Sequence, residues 1–138
     1  MADIRQFSDE YEEYRRDESR TVGEADSISF PTSEGDVRAI LAELHGAGVP
    51  VTVQGARTGL AAGAVPHGGH VMSLTRMNRY LGMRRGEDGT FYLAMEPGVV
   101  LLELRKHLAA KSLAHDGWDA DSLEALDRQV AQVKSIAQ

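Results

Sequence analysis

The sequence predicts an α+β fold: a small mixed sheet with helices packed on it, and an amphipathic helix at the C-terminus. Three observations predict it. A short apolar unit, an amphipathic helix and a β-branched run follow one another between residues 28 and 53, the order of a β-α-β unit. An Asp88-Gly89 pair between two apolar stretches marks a hairpin. Two later segments, 99–113 and 121–136, carry apolar residues at helical spacing.

Composition narrows the class. The 138 residues suit one compact domain, and 42% hydrophobic with 26% charged residues is the balance of a globular protein. A net charge of -6 lacks the basic footprint of a nucleic-acid binder. No apolar run reaches the ~18 residues that suggest a bilayer span. The N-terminus, Met-Ala-Asp-Ile-Arg-Gln, lacks the apolar core of a secretion signal, so a cytoplasmic location is expected. There is no cysteine, which excludes disulfides, thiolate metal sites and cysteine nucleophiles.

The elements follow in order. Residues 9–20 mix charges of both signs and read as a solvated helical turn or an extended arm. Ile28-Ser29-Phe30 is a brief strand ended by Pro31. Ser33 caps the clearest helix, with Asp36 as a weaker capping-box partner. Val37, Ile40, Leu41 and Leu44 form its stripe, and Gly46, Gly48 and Pro50 end it. Val51-Thr52-Val53 is the next strand. His67-Gly68-Gly69-His70 marks a turn before the strand Val71-Met72-Ser73-Leu74. Its two histidines tempt a metal reading, but Gly-Gly between them disfavours a helix and no third ligand is near, so they read as surface histidines. Phe91 to Met95 is the second hairpin strand, broken by Glu96-Pro97-Gly98. Val100, Leu101, Leu104 and Leu108 form the stripe of the following helix. Ala114 to Trp118 is a loop, and Asp121 with Glu124 offers a capping pair for the last helix. There Leu123, Leu126, Val130, Val133 and Ile136 make a narrow seam, able to close over the domain's own sheet or to pair with another chain.

The stretch from Val51 to Pro66 carries the chemistry. A strand runs into Gly55, Gly59 and Gly63, so the chain can turn sharply and aim several backbone N–H groups at one point. Such a nest holds an anion, usually a phosphate, because glycine lets the backbone approach closely and take positive φ. The glycines are four apart, unlike the dinucleotide fingerprint, and no Walker lysine follows. The alternative is a tight loop of small residues that merely lets the strand turn.

Six blocks in sequence extend this reading. They are Phe30-Pro31-Thr32-Ser33-Glu34, then Pro50-Val51-Thr52-Val53-Gln54-Gly55-Ala56-Arg57-Thr58-Gly59-Leu60 after the helix. Gly63-Ala64-Val65-Pro66, Leu74-Thr75-Arg76-Met77-Asn78-Arg79 and Glu96-Pro97-Gly98-Val99 follow. With the helix, this order over residues 17–113 resembles the FAD-binding domain of the vanillyl-alcohol oxidase family, in its D-lactate dehydrogenase and glycolate oxidase FAD-subunit branch. The resemblance implies an α+β domain of two subdomains with FAD between them. It implies that Gln54, Gly55, Ala56, Arg57, Thr58, Gly59, Leu60 and Gly63 belong to the loop around the FAD diphosphate, with Pro66 and Thr75 close behind. It also implies oxidation of 2-hydroxy acids by hydride transfer to flavin, with catalytic residues mostly in a separate cap; none is assigned to this chain, nor is any metal ligand.

Three departures shape the expectation. Many relatives have glycine where Arg57 stands, so its guanidinium either adds charge to the diphosphate or points outward. Flavinylated relatives carry a histidine near Thr58; threonine cannot make that bond, so noncovalent FAD is expected. After Leu113, Ala114-His115-Asp116-Gly117-Trp118 does not match the second glycine-rich block. The expected organisation is therefore a charged arm (1–26), a truncated FAD-binding-type subdomain (27–113) and a divergent C-terminal helix (114–138). Half of an FAD site predicts weak or absent FAD and a chain inactive by itself. The alternative is a noncatalytic interaction domain, a homo-oligomer or half of a complementing pair, assembled through the C-terminal helix.

Overall fold

The computed structural model describes the backbone of residues 2–136, and the side chains from Val133 onward lie outside the described set. The chain divides between Met77 and Asn78 into two compact units.

The first unit is built on four strands: β1 (Arg5–Gln6), β2 (Ser27–Ser29), β3 (Val51–Gln54) and β4 (His70–Ser73). A 3-10 helix, Asp9–Arg15, occupies the first part of the charged segment 9–20, which is helical there and not beyond. The helix α1 (Glu34–Gly46) joins β2 to β3. The strand order is β1-β2-β4-β3, with β1 antiparallel and the other three parallel. The expected β-α-β unit is thus present, but its two strands do not touch. The later strand β4 lies between them, with Ile28 and Thr52 both paired with Val71.

Local chemistry explains α1. The Ser33 Oγ accepts the Asp36 N–H at 3.1 Å. Asp36 reaches back to the N–H and the hydroxyl of Thr32, at 2.9 and 2.8 Å, closing a capping box one residue before the cap. Those bonds hold the Asp36 carboxyl below its ordinary range. Ile40, Leu44 and Met72 form the core between helix and sheet, flanked by Ile4, Val37, Val49, Val51 and Leu74. Leu41, expected in the stripe, faces solvent.

Two glycines are required by close approach. A Cβ on Gly23 would lie 1.9 Å from the Pro66 carbonyl oxygen, where the chain crosses the strand entrance. Gly69 takes φ +72°, and a Cβ there would meet the Pro50 oxygen at 2.4 Å. His70 overturns the surface reading: it is fully buried, with Nδ1 and Nε2 each 2.7 Å from the hydroxyls of Ser27 and Ser29. Strand pairing puts those serines beside it, which no local pattern reveals. Burial lowers its pKa to about 4, so the ring is neutral at pH 7. His67 is exposed as expected.

The second unit is the hairpin β5 (Tyr80–Arg85) and β6 (Phe91–Met95), with α2 (Leu101–Ala110) and α3 (Ala120–Ile136). Gly89 takes φ +81° in the turn, as Asp88-Gly89 predicts. Helix α3 packs on β5, and Met83, Leu113, Trp118 and Ala125 form the core with Leu126 and Leu104 against it. The Trp118 indole N–H donates to the Tyr80 carbonyl at 2.8 Å. The cap of α3 is Asp119, which accepts the Ser122 N–H at 2.7 Å, rather than the expected Asp121 and Glu124. In α2 no residue is fully buried: Leu101 and Leu108 of the expected stripe are exposed. Of the C-terminal seam, Leu126 enters the core and Leu123 is exposed; the side chains of Val133 and Ile136 lie outside the described residues.

Candidate functional site

The loop after β3 leaves the sheet at Gln54 and returns at His70, entirely within the first unit. Its base is fixed by Gln54, whose buried amide Nε2 donates to the carbonyls of Tyr14 and Ala64, both at 2.7 Å. Pro66, also buried, accepts the Glu24 N–H at 3.1 Å through its carbonyl. Thr75 lies just past β4, with its hydroxyl 3.0 Å from that of Ser73.

Between these anchors the backbone departs from the expected use of glycine. The left-handed positions are Arg57 (φ +56°) and Ala62 (φ +62°), and none of Gly55, Gly59 and Gly63 has a positive φ. A Cβ on Gly55 or Gly63 would meet nothing within 4 Å, and one on Gly59 only Asp17 Oδ2 at 3.7 Å. The fold itself therefore demands glycine at none of the three. What their bareness does is leave the backbone open to an approaching group. Ala56, Thr58, Gly59, Leu60 and Gly63 are exposed. Among the described residues no hydrogen bond uses their backbone N–H groups. This donor set fits the diphosphate of a dinucleotide cofactor: unpaired N–H groups on a loop without side-chain obstruction.

Of the two expected roles for Arg57, the outward-pointing one does not hold: the side chain is only 20% exposed. Its guanidinium turns back onto the N-terminal segment. Nη2 donates to the Glu13 carboxylate at 2.7 Å, Nη1 donates to the Glu13 carbonyl, and the guanidinium lies 4.5 Å from the Tyr14 ring centroid. Its carbonyl accepts the Glu18 N–H at 3.3 Å.

Sequence reasoning missed this N-terminal support. Asp17 is buried below Gly59. Its Oδ1 accepts the Ser19 N–H at 2.9 Å, and Oδ2 has no partner among the described residues. Hydrogen bonds from Ser19 hold its carboxyl below the usual range. A cleft of about 360 Å³ opens here, lined by Glu13, Arg16, Asp17, Glu18, Ala56 and Arg57. The available signal was the spacing of Phe7, Tyr11 and Tyr14, whose rings pack edge to face along the 3-10 helix and the residue before its cap.

Known proteins share both the sequence and the fold. A family profile described as "FAD binding domain" matches residues 25–119. A D-lactate dehydrogenase of Anaerostipes hadrus is 36% identical over 107 residues, which span 75% of this chain and 22% of that protein. Among solved structures, 6-hydroxy-D-nicotine oxidase from Arthrobacter nicotinovorans superposes with a TM-score of 0.62 at 20% identity, over 80% of this chain and 24% of its own. CrmK, a flavoenzyme involved in shunt product recycling in caerulomycin biosynthesis, gives 0.59 at 22% identity, over 78% of this chain and 22% of its own. The chain therefore spans about a fifth of the length of the relatives it matches.

Proposed function

The chain belongs to the FAD binding domain family, and from that premise we propose that it is the diphosphate-holding subdomain of a flavin-dependent oxidoreductase acting on 2-hydroxy acids. The observation that carries this is the loop from Gly55 to Gly63, with bare glycines that the fold does not need and N–H groups without partners among the described residues. Those groups hold the FAD diphosphate through the backbone. The 36% identity to a D-lactate dehydrogenase supports the substrate class. FAD, when bound, supplies the hydride acceptor. Thr58 carries no imidazole to bond the flavin, so the cofactor is held noncovalently. The residues that position substrate and bury the flavin ring belong to other parts of the enzyme, and this chain alone is inactive.

The test is the visible spectrum of the purified protein followed by titration with FAD. Saturable binding that Gly59→Val abolishes is the expected result. Absence of binding by the unaltered protein, or unchanged binding by the variant, overturns the reading.

A second reading rests on the exposed Leu123 of α3: a noncatalytic domain that pairs with a second copy through its C-terminal helix. It expects a dimer by analytical ultracentrifugation that Leu123→Asp dissociates. A monomer at every concentration removes it.

A further inference from the structure

We infer that Arg57 is a positioning residue, which shapes the cofactor loop by clasping the segment Glu13–Glu18 instead of binding the phosphates itself. The inference rests on the FAD reading for its ligand, and on geometry for the clasp.

Four contacts define the clasp. Arg57 donates to the Glu13 carboxylate and to the Glu13 carbonyl, stacks on Tyr14, and accepts the Glu18 N–H through its own carbonyl. The Arg57 side chain is only 20% exposed, and its Nε is buried without a hydrogen-bond partner among the described residues. A guanidinium spent in this way presents no free fork to an anion. Its charge is already met by Glu13, so its pull on a diphosphate is small. What it does instead is fix the backbone at φ +56°, a conformation unfavourable for any residue with a Cβ. Gln54 supports the same contact from the other side by donating to the Tyr14 carbonyl. The loop is thus held between two anchors, and its exposed N–H groups keep one arrangement before the ligand arrives. Preorganisation of this kind raises affinity by removing the ordering cost from the binding step.

The two roles for Arg57 separate under substitution. A phosphate contact tolerates lysine, which remains a point charge, whereas the clasp needs the planar fork and its stacking face. A phosphate contact would be strengthened by loss of the competing Glu13 carboxylate, whereas the clasp would be broken by it. The experiment compares Arg57→Lys, Glu13→Ala and the double variant in two measurements. The first is hydrogen exchange of the ligand-free protein over residues 13–18 and 55–64. The clasp requires faster exchange in both segments for each single variant, and little more in the double. The second is FAD titration. It requires about a tenfold loss of affinity in each single variant and a clearly non-additive double, as for residues that share one interaction.

Unchanged exchange in the single variants overturns the inference, whatever FAD does. So does undiminished affinity in Glu13→Ala. Should the unaltered protein fail to bind FAD, the function proposed above fails, and the exchange data alone still decide whether the clasp holds the loop.

Discussion

Gln54 and Tyr14, 40 residues apart in sequence, are joined by a single hydrogen bond of 2.7 Å from the Gln54 amide to the Tyr14 carbonyl. The same amide nitrogen serves Ala64 on the far side of the loop. One buried side chain thus ties the N-terminal segment, the end of β3 and the end of the glycine loop. Gln54→Ala leaves two carbonyls without a donor, at about 1–3 kcal/mol for each buried unsatisfied group. The expected result is a lower urea midpoint with an unchanged denaturant slope. An unchanged midpoint would show that water replaces the amide at no cost.

Glycines at crossings and glycines in the loop should part company. Gly23→Ala drives a Cβ into the Pro66 carbonyl oxygen, a contact of 1.9 Å that backbone must move to relieve. That variant is expected to fold poorly, with a loss of several kcal/mol on the order of the largest single-site effects. Gly59→Ala adds a Cβ with only an ordinary 3.7 Å contact. It should melt within a few degrees of the parent and bind FAD more weakly. Thermal denaturation beside FAD titration reads both.

His70 makes stability depend on acid. Its pKa in the fold is about 4, lowered from 6.5 by burial. Below pH 6.5 the unfolded chain takes up a proton that the folded chain refuses, so unfolding is favoured as pH falls. The stabilisation is whole above pH 6.5 and is lost progressively towards pH 4. Its full extent is on the order of 3 kcal/mol. Denaturation midpoints across this range should fall more steeply for the parent than for His70→Gln. Parallel slopes would mean that the imidazole does not titrate on unfolding.

The hairpin of the second unit closes on one carboxylate. Buried Glu96 accepts from Arg79 through its backbone N–H at 2.8 Å, Nε at 3.2 Å and Nη2 at 2.7 Å, while its own N–H donates to the Arg79 carbonyl at 2.9 Å. Arg79 lowers the Glu96 pKa below the ordinary value. Glu96→Ala removes three acceptor contacts and should cost about 1.5–3 kcal/mol, the range for hydrogen bonds to a charged group. The loss should register first as faster amide exchange at the ends of β5 and β6. Exchange equal to that of the parent would assign the pair no structural weight.

Local chemistry was legible in the sequence, and long-range pairing was not. Ser33 announces α1 because a cap acts within three residues, and Asp88-Gly89 announces the hairpin because its turn is closed by residues adjacent in sequence, Gly86 to Thr90. The expected use of glycine in the loop does not hold in one respect. The loop's glycines keep the backbone bare, while Arg57 and Ala62 take the left-handed positions. Nothing nearby in sequence tells that Arg57 meets Glu13, or that His70 is enclosed by Ser27 and Ser29. Those neighbours come from a sheet order in which β4 separates β2 from β3. The cap at Asp119 was missed by two residues, since Asp119, Asp121 and Glu124 all suit a first turn.

The place of β4 sets a folding sequence. β2, α1 and β3 are contiguous, yet their strands cannot pair until β4 enters between them, and β4 is reached only through the glycine loop. Pairing of β4 therefore requires that loop to close, and its entropy is lost as the central hydrogen bonds form. A nascent chain with a misshapen loop is left with two unpaired strand edges, the kind of surface that chaperones and proteases act on. Selection for a chain that survives synthesis thereby also selects for a loop of the right shape, before any ligand is present to reward it.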